Sequence, residues 1–145
     1  MTADISPLKI LIVDDSRVVS KTLEQMLRNL GAVNITAAAS AAEAEEKLAA
    51  GEFDVLFLDW RMTGKSGVAL MQQCREDRAY DSVAFVIVSG EDGQRYIQEA
   101  LKSGATSYIV KPFTQDTLEK HVVKVVAWLE QRGRMPKNPP ARENS

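Results

Sequence analysis

The sequence predicts an α/β protein whose core is a doubly wound, five-stranded parallel sheet with helices on both faces. Three observations lead to this. Apolar, β-branched runs alternate with helix-period patterns, so that a strand is followed by a helix five times. Several of the strand runs, Phe53 to Leu58 above all, are nearly unbroken apolar stretches with no alternation, which suits strands covered on both faces. Four of the five predicted strands end on polar residues, namely Asp14 and Asp15, Asp59, Ser89 and Lys111. A parallel sheet gathers strand ends at one edge, the edge where open α/β sheets bind ligands.

The elements follow in order. Leu8 to Val13 is the first strand and runs into Asp14-Asp15. From Ser16 the period becomes helical, with Val19, Leu23, Met26, Leu27 and Leu30 on one stripe and Gly31 as the stop. Val33 to Ala38 is a short second strand. Ser40-Ala41-Ala42-Glu43 is a capping box that opens helix two, which runs to about Ala50 before Gly51. The third strand ends on Asp59, the loop Trp60 to Lys65 follows, and helix three covers about Ser66 to Asp77. Val83 to Val88 is the fourth strand, closed by Ser89-Gly90. Helix four, Gln94 to Ser103, is expected to bury Ile97, Ala100 and Leu101 and to stop at Gly104. Ser107 to Val110 is the fifth strand and leads into Lys111-Pro112. Thr114 caps helix five, whose inward stripe is Leu118, Val122, Val125, Val126 and Leu129. The domain is expected over residues 7–132, with 133–145, which hold Pro136, Pro139 and Pro140, as a disordered tail.

A chain of 145 residues with 45% apolar content is sized for one domain with a substantial core. The formal charge of -2 offers no electrostatic case for direct nucleic-acid binding, so the expected partners are proteins. The single cysteine, Cys74, excludes an internal disulfide, and no apolar run is long enough for membrane insertion. The expected setting is reducing and cytoplasmic. Cys74 is read as core-facing and the lone His121 as a helix-surface residue, neither with metal-ligand company.

Asp14, Asp15 and Asp59 brought to one edge repel one another and call for a cation. An all-oxygen set suits Mg2+, with Mn2+ the alternative, because such an ion takes a few carboxylates and accepts a phosphate oxygen as a further ligand. Lys111 and Ser89 are the residue types that hold the other oxygens of a phosphoryl group. Each has a plainer reading: Asp15 as a helix cap, Ser89 as a turn residue, Lys111 as a solvated lysine, Tyr108 as a strand aromatic. The joint placement of Asp15, Ser89 and Lys111 at strand ends argues against their three plain readings at once.

These residues carry a resemblance to the receiver domain of two-component response regulators, of the single-domain chemotaxis type. Asp14-Asp15, Asp59, Ser89-Gly90 and Lys111-Pro112 match its motifs, and Tyr108 matches its aromatic switch position. The resemblance implies a flavodoxin-like sheet of order 2-1-3-4-5. It implies Asp59 as phosphoacceptor, charged by a histidine kinase or phosphotransfer protein, and a downstream target protein. It further implies metal ligation by Asp14, Asp15, Asp59 and the Arg61 backbone carbonyl, phosphoryl contacts from Ser89 and Lys111, an inward swing of Tyr108, and a cis Lys111-Pro112 bond. Thr63 stands where the family usually has proline, and the loss of a fixed φ is expected to loosen that loop.

Other functions are weighed against this. Thr63-Gly64-Lys65-Ser66 looks like the end of a phosphate-binding P-loop, but the required first glycine falls on Asp59. An Asp-nucleophile phosphatase wants a second acid two residues on, where this chain has Arg61. A phosphate sink, or a receiver cut from a longer regulator, remains open on sequence. Few residues follow Arg132, too few for an output domain.

Overall fold

The computed structural model describes residues 4–134. Its elements in chain order are β1 (Lys9–Val13), α1 (Arg17–Asn29), β2 (Asn34–Ala38), α2 (Ala41–Ala50), β3 (Val55–Asp59), α3 (Gly67–Arg75), β4 (Ala84–Ser89), α4 (Gln94–Lys102), β5 (Ser107–Val110) and α5 (Gln115–Gln131). Four of the helices start at a hydroxyl residue whose side chain accepts from the amide three residues on: Ser16, Ser40, Ser66 and Thr114. Only α4 opens on a glycine, Gly93, without a side-chain cap. Glu43 of the expected capping box reaches back one residue further than expected, accepting from the Ala39 amide at 2.8 Å.

All strand pairs are parallel and the order is β2-β1-β3-β4-β5. The chain winds outward in both directions from the β1–β3 pair. Residues of β3 and β4 are buried throughout, so the sheet is covered on both faces. One core lies under α1 and α5 and is built from Ile10, Ile12, Phe57, Leu27, Leu118 and Leu129 among others. The other lies under α2, α3 and α4 and includes Leu11, Leu58, Met71, Phe85, Ala100 and Tyr108. Burying each such leucine or phenylalanine contributes roughly 1.5–3 kcal/mol.

The structure departs from expectation in four places. Helix three ends at Arg75, and a separate 3-10 turn, Arg78–Tyr80, is capped by the Asp77 carboxylate. Leu101 is 46% exposed: the inward stripe of α4 runs through Ile97 and Ala100, and one further step of about 100° turns Leu101 outward. His121 is half-buried, not a surface residue, because its Nδ1 lies 2.6 Å from the Ser107 hydroxyl of β5. Burial holds its pKa below the usual histidine value. Of the tail expected from residue 133, Gly133 takes a positive φ of 75° and Arg134 is pinned, donating to Asp54 Oδ1 at 2.7 Å and to Ser82 Oγ at 3.1 Å. Residues 135–145, on which the rest of that expectation falls, lie outside the described residues. Cys74 is buried as expected, and burial pushes its thiol up to about 11.

Candidate functional site

The site sits at the C-terminal edge of the sheet beside the β1–β3 pair, where the chain's winding reverses. Strands β1 and β3 are hydrogen-bonded neighbours with Val13 opposite Leu58. The residues that follow, Asp14 and Asp15 on one strand and Asp59 on the other, are therefore forced together. Ligand oxygens of these three carboxylates all lie within 4.8 Å of one another, with Asp14 and Asp59 buried and Asp15 exposed. Lys111, at the end of β5, reaches across β4 to place Nζ 3.3 Å from Asp59 Oδ1 and 3.5 Å from Asp14 Oδ2. The Lys111-Pro112 bond that follows is cis.

The electrostatics are those of excess negative charge. Burial, then repulsion by Asp14, raises the pKa of Asp59 above the ordinary carboxylate value, and Lys111 only partly offsets this. The three carboxylates supply oxygen donors only, with a single neighbouring ammonium. That donor set fits a hard divalent cation such as Mg2+. Asp14 is steered by the Ser16 amide, which donates to its Oδ1 at 2.8 Å. Asp15 Oδ2 accepts from the Thr63 amide at 3.4 Å. A proline at 63 has no N–H, so where loosening was expected the loop has a tether that proline would lack.

Ser89 is 2% exposed, and its hydroxyl accepts from the Glu91 amide at 3.1 Å, leaving its own proton to donate. Tyr108 is buried, with its hydroxyl donating to the Glu91 carbonyl at 2.6 Å. Its ring meets the Trp60 indole edge-on at 6.2 Å, and Trp60 meets Tyr96 of α4 at 5.5 Å. Arg61 presents its side chain to Glu91, Nε to Oε2 at 2.6 Å. Lys65, the lysine of the P-loop look-alike, is engaged by Glu45 of α2 at 2.6 Å and by Gln73 of α3. Ser66 there is the α3 cap, and neither serves a phosphate cradle.

Two contributors escaped the sequence reading. Glu91 joins Ser89, Tyr108 and Arg61, yet nothing in a loop Glu-Asp-Gly signals this. Gly67 packs so closely under the end of β3 that a Cβ there would lie 2.1 Å from the Asp59 carbonyl oxygen. Its position at the loop-to-helix junction was the one available sign.

A family model for the response regulator receiver domain matches residues 10–123. Among curated proteins, the chemotaxis protein CheY of Pseudomonas aeruginosa is 35% identical over 118 residues, which is 81% of this chain and 95% of that protein. Chemotaxis protein CheY-3 of Vibrio cholerae is likewise 35% identical over 118 residues, 81% of this chain and 91% of its own. Among solved structures, chemotaxis protein CheY4 of Vibrio cholerae superposes with a TM-score of 0.75 at 30% identity, covering 81% of this chain and 98% of that one. A probable two-component system response regulator/GGDEF domain protein gives a TM-score of 0.80 at 26% identity over 87% of this chain, which spans about half, 52%, of that one. A match of this extent, on a sheet of the same order and with the acids and lysine at its edge, establishes that the chain belongs to the response regulator receiver domain family.

Proposed function

We propose that the chain is a phosphorylation-activated signalling switch of the cytoplasm, with Asp59 as its phosphoacceptor. The observation that carries this is the placement of a buried Asp59 within ligand distance of Asp14 and Asp15, with Lys111 Nζ 3.3 Å away. The donor is the phosphohistidine of a histidine kinase or phosphotransfer protein. The P–N bond to histidine breaks as a P–O bond forms to an Asp59 carboxylate oxygen, giving an acyl phosphate. A divalent ion held by Asp14, Asp15, Asp59 and the Arg61 carbonyl would neutralise charge on the transferring group. Lys111 supplies a positive charge to the phosphoryl oxygens and Ser89 a hydroxyl proton, a reading supported by Lys111 Nζ lying 3.3 Å from Asp59 Oδ1.

Burial matters to the chemistry. With Asp59 9% exposed, the carboxylate that would accept the phosphoryl group is largely withdrawn from bulk water, which strengthens its interactions with Lys111 and a bound cation. The reading surface is the face of α4, β5 and α5, where Lys102 and Lys120 are exposed and Tyr96 is half-buried against Trp60. A downstream protein docks there.

The test is acyl-phosphate formation from a small phosphodonor. Uptake should require Mg2+ or Mn2+, be released by hydroxylamine, and disappear in Asp59→Asn. Metal-independent uptake, or uptake retained in Asp59→Asn, would sink the assignment.

A further inference from the structure

Glu91, in the loop between β4 and α4, is bound by groups from three separate places. Its amide donates to Ser89 Oγ at 3.1 Å, its carbonyl accepts from the Tyr108 hydroxyl at 2.6 Å, and its carboxylate accepts from Arg61 Nε at 2.6 Å. The first two bonds belong to the backbone of one residue, so they move together when Glu91 moves. The third is the only side-chain tie from Glu91 to the β3–α3 loop among the described residues. Arg61 is adjacent to Trp60, whose indole abuts the Tyr108 ring. Tyr108 is thus held at both ends by one stretch of chain: its ring by Trp60 directly, its hydroxyl by Arg61 through Glu91.

We propose that the Arg61 side chain is a positioning residue for Tyr108: by pairing with Glu91 it fixes the carbonyl that receives the Tyr108 hydroxyl, and so weights the ring toward its inward packing. A buried phenol needs a partner for its proton, because leaving that group unpaired costs free energy comparable to a lost hydrogen bond. Where the Glu91 carbonyl is displaced, the hydroxyl finds water by turning outward. The pair is a bias and not a lock. The Arg61 side chain is 66% exposed and that of Glu91 30% exposed, so the tie is partly screened, and exposed pairs shift a population ratio by about two- to fivefold. Such a modest bias suits a residue that must leave the two packings interconvertible.

The inference rests on the reading of Tyr108 as the moving part, and its test needs neither phosphodonor nor metal, so it fails or stands independently of phosphorylation at Asp59. The measurement is NMR of the full chain carrying ring-labelled tyrosine. Arg61→Gln and Glu91→Gln should each move the Tyr108 ring signals toward those of a solvent-exposed tyrosine, by a population change of about two- to fivefold. Raising the salt concentration should move wild-type signals the same way and leave both variants unmoved. The charge-swapped double variant Arg61→Glu/Glu91→Arg should restore the wild-type position. Tyr108 signals that coincide with wild type in both single variants would overturn the proposal. So would a swap that leaves them displaced, since the loop rather than the ion pair would then be responsible.

Discussion

Asp59 is placed where its charge is unwelcome, and that has a measurable cost. Its pKa is raised from 3.8, first by burial and then by Asp14. Below pH 3.8 the carboxyl is protonated in both the folded and the unfolded chain and contributes nothing to the difference between them. As the pH climbs from that value to the raised folded one, the unfolded chain ionises first and stability falls; above the folded pKa the whole penalty is present. In a metal-free buffer near neutrality, Asp59→Asn should therefore melt at a higher temperature than wild type. Its advantage should shrink on acidification and vanish below the ordinary carboxylate pKa. Added Mg2+ should narrow the gap, because an ion that binds only the folded acid cluster stabilises wild type by mass action. A variant that melts lower than wild type at neutral pH would show that Asp59 sustains the fold instead of straining it. At this scale the sequence was informative where a residue's place in the site follows from its strand. Asp59 ends a buried run and Lys111 ends another, so both were legible. His121 was not, because its partner Ser107 is 14 positions away, and neither was the Arg61–Glu91 pair, separated by 30.

The junction between β3 and α3 is the element on which the site depends most. Within nine residues, Asp59 to Gly67, it carries the proposed phosphoacceptor at the strand end, the Thr63 amide on Asp15, the Ser66 cap, and Gly67 against the Asp59 backbone. Ser66 and Gly67 are neighbours with separable roles. Ser66→Ala removes one cap bond and should cost about 1 kcal/mol of stability while leaving Asp59 in place. Gly67→Ala forces a methyl to 2.1 Å from the Asp59 carbonyl oxygen, with backbone on both sides of the contact. It should cost roughly 1–3 kcal/mol, as overpacking does, and should also depress phosphoryl uptake because the displaced atom belongs to Asp59, the proposed phosphoacceptor. Denaturant melts paired with phosphodonor uptake distinguish the two. Equal uptake in both variants would mean the junction yields without moving Asp59. Helix starts at Ser16, Ser40, Ser66 and Thr114 were legible because capping is a local, side-chain-to-backbone matter. The glycine contact was not, since the position of Gly67 at a loop-to-helix junction was its one sign, and that does not say what the helix approaches. The same limit explains Leu101, whose outward turn depends on which side of α4 the sheet lies.

Across the whole molecule the sheet separates two cores, and the signal should respect that partition. The sequence could not show it: before their polar ends, Asp59 and Ser89, β3 and β4 are apolar at every position, so neither run says which face a given side chain takes, and the strand order came from resemblance. In the structure Tyr108 belongs to the core beneath α2, α3 and α4, together with Ile87, Leu58 and Ala100. The α1 and α5 core, with Leu23, Leu27, Val125 and Leu129, lies on the opposite side of the sheet. On the proposed reading, a phosphoryl group on Asp59 would draw Ser89, whose hydroxyl contacts Glu91, and would act through Glu91 and Trp60 on Tyr108 and Tyr96, which these residues touch. It therefore works on one side of the sheet only, biasing two discrete packings of the β4–α4 loop, α4 and β5. Beryllofluoride bound at Asp59 with Mg2+ stands in for the phosphoryl group. Backbone NMR shifts on its addition should concentrate in residues 89–112 and include Tyr108, with α1 beyond its first turn and the C-terminal half of α5 nearly silent. Ser89→Ala should shrink the response while Mg2+ binding persists, because the proposed role of the serine is to contact the phosphoryl oxygens and it does not belong to the carboxylate cluster. Changes confined to the immediate loops, with Tyr108 unmoved, would mark the chain as a phosphate sink. Changes spread evenly over both cores would mean that the sheet transmits strain across its thickness, and the one-sided route through Glu91 and Trp60 would have to be abandoned.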